Sequence, residues 1–306
     1  MLALIAVVAA AVLFGTTGTA QALGPADTTP LAVGAIRLAI GGTALAVVGL
    51  SLGARSRRRA SAPPRPALGA LGLMTVTGVC LALYQPLFFL GTERNGVAVG
   101  TVVALGSAPV IAGLIEWGLT RRRPSAVWMA ATALALIGVV VLTVGADGGG
   151  TGADPLGFAG SIGAGASFAI FANAQRRLMD GGWDPFTVAG AMGAVAALVS
   201  FVALPFVDLA WLSSPGGLAM ALWLGLATIT VAYTLFTWGL GRLTASVAAT
   251  LTLAEPLTAS ILGVTVLGER LSASAIGGLV VLGAGLLILA LGSRARRDPK
   301  PFAVEG

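Results

Sequence analysis

Residues 251–271 have the sequence LTLAEPLTASILGVTVLGERL, and they belong to an apolar run that extends back to Ala245. Between Ala245 and Leu267 the only charged residue is Glu255, which stands beside Pro256 near the middle of the run. A helix needs about 20 apolar residues to cross a hydrocarbon layer about 30 Å thick. The stretch is therefore predicted to be a transmembrane helix that carries a carboxylate and a proline at mid-membrane.

The rest of the chain consists largely of similar segments. Of its 306 residues, 57% are hydrophobic and 10% are charged, and the mean hydropathy is +0.95. A soluble protein carries about 25% charged residues, so a water-soluble fold is excluded. Ten apolar runs are long enough to span a bilayer: Leu2–Ala22, Pro30–Leu52, Leu68–Leu90, Val97–Leu119, Ser125–Val144, Leu156–Ala174, Pro185–Val207, Leu218–Leu240, Ala245–Leu267 and Ser272–Leu291. We predict an all-α integral membrane protein with ten transmembrane helices.

The residue types present also restrict the chemistry. The chain has no His and a single Cys, Cys80. It therefore lacks the residues needed for a structural zinc site, for haem bound by His, for Ser-His or Cys-His catalysis, and for an internal disulfide. No metal or other cofactor is expected. The chain also lacks a Gly-x-x-x-x-Gly-Lys loop for ATP, so any transport is predicted to draw on ion or solute gradients.

Basic residues are concentrated in alternate connections, which predicts the orientation of the chain. One set of connections and the C-terminal segment hold fifteen of the eighteen, the opposite set holds Arg94 and Arg270, and Arg37 lies within a span. The larger set comprises Arg55, Arg57, Arg58, Arg59, Arg65, Arg121, Arg122, Arg123, Arg176, Arg177, Arg242, Arg294, Arg296, Arg297 and Lys300. The positive-inside rule then places both termini in the cytoplasm of a plasma-membrane protein. Membrane orientation therefore accounts for the net charge of +6, and nucleic acid is not expected as a partner.

The chain matches itself at an offset of about 150 residues. Tyr84, Arg94 and Pro109 correspond in order to Tyr233, Arg242 and Pro256. Five spans are an odd number, so a second copy would enter the membrane inverted, as in alternating-access carriers. We predict a first repeat over residues 1–147, a Gly-rich extracytoplasmic join over 148–155, a second repeat over 156–292 and a cytoplasmic tail over 293–306. Duplication that serves only packing is the alternative.

Three motifs resemble the EamA-type transporters of the drug/metabolite transporter superfamily. They are Leu13-Phe14-Gly15-Thr16 with Arg37 in the next span, Leu83-Tyr84-Gln85-Pro86-Leu87, and residues 251–271 with their Gly268-Glu269 turn. The resemblance covers about residues 2–291. It implies two inverted five-helix repeats and the export or exchange of small metabolites such as amino acids. One departure is Arg121-Arg122-Arg123, which stands where the family has a Gly-Glu pair.

Two charged residues are the principal candidates for a site. A charge at the bilayer centre costs about 2.5–3.5 kcal/mol, so it usually faces a cavity or a partner. Glu255, beside the helix-breaking Pro256, is predicted to bind a proton or a substrate ammonium, unless it is only hydrogen-bonded within the bundle. Arg37 could hold a substrate carboxylate, unless it extends outward to the headgroups. Glu116, near Arg121, is predicted to form an interfacial ion pair.

Other polar and aromatic residues are predicted to line the same cavity or to bend the helices. The lining candidates are Thr16, Thr17, Tyr84, Gln85, Asn173, Tyr233 and Trp238, and the hinge candidates are Pro109 and Pro256. For the lining residues the alternative is packing between helices, and for the prolines it is a static kink.

We predict a secondary carrier that exports a small amphipathic metabolite by alternating access. Its expected partners are the substrate, the bilayer and protons, and a homodimer is left open. The alternatives are a carrier of sugars or nucleotide sugars, a flippase for lipid precursors, and an intramembrane enzyme. An enzyme is not expected, because Asp180 and Asp184, the one close pair of acids, have no third catalytic group nearby.

Overall fold

The structure is a computed structural model, and it describes residues 1–59, 67–144 and 154–294. These residues form ten helices and contain no β-strand. The helices are α1 (Leu2–Ala22), α2 (Pro30–Arg59), α3 (Leu68–Asn95), α4 (Val97–Thr120), α5 (Ala126–Val144), α6 (Pro155–Asp180), α7 (Pro185–Ala203), α8 (Pro215–Leu240), α9 (Ala245–Thr265) and α10 (Ala273–Arg294). Two 3-10 turns, Leu204–Phe206 and Ala210–Ser213, connect α7 to α8.

The predicted ten-helix fold is confirmed. Among the described residues, nine helices are long and apolar enough to cross a bilayer, and α5 adds a shorter apolar helix. Each helix coincides with one predicted span, although several extend further. For example, α2 continues to Arg59, where its basic end leaves the apolar region. The Gly-rich join at 148–152 and the tail beyond 294 lie outside the described residues, as do Arg65, Asp147, Arg296, Arg297 and Lys300.

The main packing contacts join the first five helices to the last five. Helix α2 lies along α7, and α5 lies along α10. Helix α1 packs on α8 and α9, whereas α6 packs on α3 and α4. Exchanging each helix for the one five places along the chain reproduces this set of contacts, which is consistent with two repeats.

Small residues allow the helix backbones to come close together. At the α2–α7 contact, a Cβ on Gly42 would lie 2.8 Å from the carbonyl oxygen of Gly193, and one on Gly49 would lie 2.6 Å from that of Phe186. Gly278 of α10 is similarly close to the backbone of Leu142 in α5. At these positions glycine therefore allows the helix backbones to touch.

Glycine has a different role at the turn between α3 and α4. Helix α3 ends at Asn95 and α4 begins at Val97, so Gly96 alone connects them, with φ +80°. A residue with a side chain rarely adopts this φ. The turn is further held by Asn95, whose side chain bonds both the backbone N–H and the carbonyl of Asp154 ahead of α6.

Candidate functional site

Helix α9 is interrupted at mid-membrane. It consists of Ala245–Leu251 and Ala254–Thr265, with Thr252 and Leu253 in a turn between the two halves. The backbone N–H of Glu255 bonds the carbonyl of Thr252 at 2.9 Å, since Pro256 has no N–H to offer that carbonyl. Glu255 therefore lies in the first turn of the second half, where the helix dipole favours a carboxylate.

A second irregularity lies in α8, where Trp223–Val231 is a π-helix. Within it, the Thr230 hydroxyl donates to the carbonyl of Gly41 in α2 at 2.9 Å. Gly41 allows this approach, because a Cβ there would meet the carbonyl oxygen of Gly225. The π-helical segment thus places the hydroxyls of Thr228 and Thr230 against α2 near Arg37.

Arg37 is buried inside the bundle, with 8% of its surface exposed, so an outward orientation toward the headgroups is excluded. One terminal guanidinium nitrogen donates to the Thr228 hydroxyl at 3.2 Å, and the other is 3.5 Å from the amide oxygen of Gln85 in α3. Both partners are neutral. The buried Nε makes no hydrogen bond to the protein. Arg37 is therefore oriented by α3 and α8, and its Nε–H has no hydrogen-bond partner.

Three further polar groups lie around Arg37. Glu255 of α9, Tyr84 of α3 and Tyr233 of α8 each interact electrostatically with Arg37. No nitrogen–oxygen contact of 4.0 Å or less joins Arg37 to Glu255. Among the hydrogen bonds of the described residues, none involves the Glu255 carboxylate or the hydroxyls of Tyr84 and Tyr233. Four helices thus bring one cation, one carboxylate and two phenols together, and each of these groups can still form a hydrogen bond to a ligand.

An aromatic layer adjoins this group. Tyr84 contacts Phe168 with ring centroids 6.4 Å apart, and Tyr233 contacts Phe14 at 5.1 Å and Phe171 at 5.9 Å. These contacts link α1, α3, α6 and α8 across the bundle. Because Tyr84 and Tyr233 belong both to the layer and to the polar group, a ligand there would meet charges beside an apolar wall.

The remaining lining candidates make other contacts. The Thr16 hydroxyl accepts from the indole N–H of Trp223 at 3.0 Å, and half-buried Thr17 follows it on α1. Asn173 donates to the carbonyls of Ala112 and Ala169, so its amide is used in helix packing. Trp238 lies near the end of α8, where its ring stacks under the guanidinium of Arg242 at 4.0 Å.

The two predicted hinge residues have different surroundings. Pro256 follows the break in α9, whereas Pro109 lies inside an unbroken α4. Bending at either residue stays a prediction.

The end of the bundle where α9 begins is closed by contacts that the sequence does not indicate. The carboxylate of Glu116, predicted as an ion-pair partner, accepts from the backbone N–H of Ser246 at 3.0 Å and so caps α9. Arg176 donates to the carbonyls of Leu240 and Leu243 in the turn before α9. The first half of α9 also packs on α4. The second half packs instead on α1 and α10.

Comparison with known proteins agrees with this architecture. The sequence model described as the EamA-like transporter family matches residues 1–144 and again residues 155–291. The chain is 40% identical over 292 residues to YwfM of Bacillus subtilis (strain 168), named an uncharacterized transporter, with 95% of this chain and 94% of that protein covered. A solved crystal structure at 22% identity has the same fold, with a TM-score of 0.76 over 97% of this chain and 99% of that one.

The chain therefore belongs to the EamA-like transporter family, which is part of the drug/metabolite transporter superfamily. It is an integral membrane protein. Its family and its relative's name indicate a transporter rather than an enzyme.

Proposed function

We propose that this protein is a gradient-driven carrier that exports or exchanges small amphipathic metabolites such as amino acids by alternating access. One observation carries the proposal. Arg37, Glu255, Tyr84 and Tyr233 approach one another from four helices inside the transmembrane bundle, and the Nε of Arg37 is buried without a hydrogen-bond partner. Charged groups are costly at this depth, so they are expected where a ligand uses them. An amino acid supplies a carboxylate for Arg37 and an ammonium for Glu255, and its side chain can lie against the aromatic layer.

The proposed topology is two inverted five-helix repeats in the plasma membrane, with both termini in the cytoplasm. The double family match, the reciprocal helix contacts and the distribution of arginines support it. In this orientation the end closed by Glu116 and Arg176 is cytoplasmic. Sugars are less suited to the site, because their hydroxyl groups require neither a cation nor a carboxylate. The diphosphate of a nucleotide sugar could bind Arg37 but would be repelled by an ionised Glu255.

Counterflow in proteoliposomes tests the function. Vesicles with purified protein are loaded with one unlabelled amino acid, and uptake of the same labelled compound is measured across a panel. We expect saturable exchange of at least one amino acid, reduced at least about tenfold in Arg37→Gln and Glu255→Gln, because each variant loses a charged contact worth about 1.5–3 kcal/mol.

The matched controls are Arg270→Gln and Glu93→Gln, which remove the same charges from exposed positions. They should exchange at the wild-type rate. Absence of exchange across the panel, or full activity in both site variants, would contradict the proposal.

A further inference from the structure

Arg37 and Glu255 are the two charged residues that lie about two turns or more from either end of a described helix. The other charged residues of these segments lie near helix ends or in turns, as Arg94 and Arg176 do. The two central charges are opposite but do not pair directly. The net charge of the site is therefore zero when Glu255 is ionised and +1 when Glu255 is protonated.

Inside a transmembrane bundle a loaded state with no net charge is favoured, because an uncompensated charge at this depth is costly. The charge of a suitable ligand then depends on Glu255. With the carboxylate ionised, a zwitterion keeps the loaded site neutral. With the carboxylate protonated, an anion bound to Arg37 keeps it neutral instead.

Resting on the proposed function, we propose that the same site takes a second class of substrate, small monocarboxylate anions with an apolar side chain, bound together with one proton on Glu255. Arg37 holds the carboxylate through its unpartnered Nε. The protonated acid of Glu255 then contacts the carbon skeleton where an amino acid would present its ammonium. The tyrosine hydroxyls and the aromatic layer serve both substrate classes.

Few other groups can alter this charge balance. Helices α1 and α10 pack on the half of α9 that holds Glu255, and neither Leu2–Ala22 nor Ala273–Gly292 contains a titratable side chain. From α2, α3 and α8 the facing groups are Arg37, Tyr84 and Tyr233. Because Arg37 stays charged, the protonation state of Glu255 determines the net charge of the empty site, and so whether a zwitterion or an anion neutralises the loaded site.

The sign of the pH dependence follows from this linkage. A monocarboxylate binds the form with Glu255 protonated, so its affinity rises as the pH falls. An amino acid binds the ionised form, so its affinity falls over the same range. Opposite slopes for two ligands that differ only in an ammonium group would not result from general loss of folded protein at one pH.

The test compares amino acids with their deaminated analogues. Binding to the purified full-length chain in detergent is measured by calorimetry for phenylalanine and phenylpropionate, leucine and isocaproate, and alanine and propionate. Measuring binding avoids the passive diffusion of carboxylic acids through vesicles. For at least one pair, we expect the monocarboxylate to bind about tenfold more tightly at about pH 6 than at about pH 8, and the amino acid to show the reverse.

Variants of Glu255 separate the two classes. Glu255→Gln keeps the site at +1, so it should bind the monocarboxylate equally at both pH values and lose at least about tenfold in amino-acid affinity. Glu255→Asp keeps a titratable group and should keep both slopes. Arg37→Gln should bind neither ligand, and Arg270→Gln should match wild type.

The outcomes distinguish this proposal from the proposed function. If wild type exchanges and binds an amino acid but binds no monocarboxylate at either pH, the second substrate class is excluded and the carrier function stands. The same conclusion follows if Glu255→Gln loses both ligands while remaining folded. If no amino acid exchanges in counterflow and no ligand binds, both proposals are overturned.

Discussion

Helices α4 and α9 correspond in the two halves of the chain, and each has a proline near its middle, yet only α9 is interrupted. Both prolines remove one backbone donor. Helix α4 continues through Pro109, while α9 is broken at Thr252 and Leu253, just before Glu255 and Pro256. Proline by itself therefore does not decide the break.

The surroundings of the two prolines differ. Near Pro109, Gly165 of α6 lies against α4, and a Cβ on it would be 2.7 Å from the carbonyl oxygen of Ala104. Near Pro256, Gly15 of α1 lies against the carbonyl oxygen of Glu255 itself. Glu255 occupies the position that matches Ala108, and Arg37 matches Met192, so the second half supplies the carboxylate and the first half supplies the cation.

Placing a carboxylate on α4 should have the largest effect. Ala108→Glu introduces a charge at the position matching Glu255, but Ala108 is buried and Met192, the counterpart of Arg37, is apolar. Without a cation, the variant should lose about 2.5–3.5 kcal/mol of stability. The measurement is the folded fraction after detergent extraction and the thermal midpoint, with Ala108→Gln as the uncharged control. Stability equal to that control would show that α4 also faces a polar cavity.

Filling the contact between α1 and α9 should have the next largest effect. A Cβ on Gly15 would lie 2.6 Å from Cβ of Thr258 and 2.7 Å from the Glu255 carbonyl oxygen. Gly15→Val should therefore force the broken half of α9 away from α1, at a cost of about 1–3 kcal/mol.

Gly18→Val is the control on the same helix, because nothing lies within 4 Å of a Cβ at that position. Thermal unfolding and amino-acid binding should change in Gly15→Val only. Equal effects of the two substitutions would mean that valine in α1, rather than this contact, causes the loss.

Restoring the missing backbone donors should have a smaller effect. Pro256→Ala supplies an N–H for the Thr252 carbonyl, which adds one hydrogen bond worth about 1 kcal/mol and favours a continuous α9. Hydrogen exchange of the amides at 252–257 should slow, and counterflow should slow if the break bends during transport. Pro109→Ala should change exchange in α4 less, since that helix is already continuous. Faster exchange in Pro256→Ala would contradict this account of the break.

The smallest effect is expected at the turn that precedes α4. The Asp154 carboxylate accepts a hydrogen bond from Arg94 at 2.8 Å, and this contact lowers the pKa of Asp154 below its usual value. The stabilisation is present above the unfolded pKa of about 3.9 and is lost as the pH falls through the folded pKa. Asp154→Asn should thus lower the thermal midpoint slightly near neutral pH and have no effect at about pH 2. If the thermal midpoint of Asp154→Asn stays below that of the wild type at about pH 2, the loss would come from capping of α6 and not from the ion pair.

Most of the fold can be predicted from the sequence because hydropathy is a local property. The ten helices coincide with the ten apolar runs, although α3 continues beyond Leu90 to Asn95, so that Gly96 alone separates it from α4. The site is only partly predictable. Thr228 has no feature that marks it among the threonines of α8, yet it orients Arg37. The place of Trp238 on its span predicts a cavity-lining residue. In the structure its ring lies near the end of α8 and stacks on the guanidinium of Arg242.

Residues adjacent in the chain are enough to predict the number of spans, the uneven distribution of arginines, and the presence of Glu255 and Arg37 within apolar segments. The approach of these two charges to one another, by contrast, results from the packing of distant helices. Helix α2 packs on α8, α1 on α9, and a π-helical segment turns Thr228 toward Arg37. Contacts between distant helices depend on how small residues fit together in three dimensions, and no local pattern of hydropathy encodes that fit.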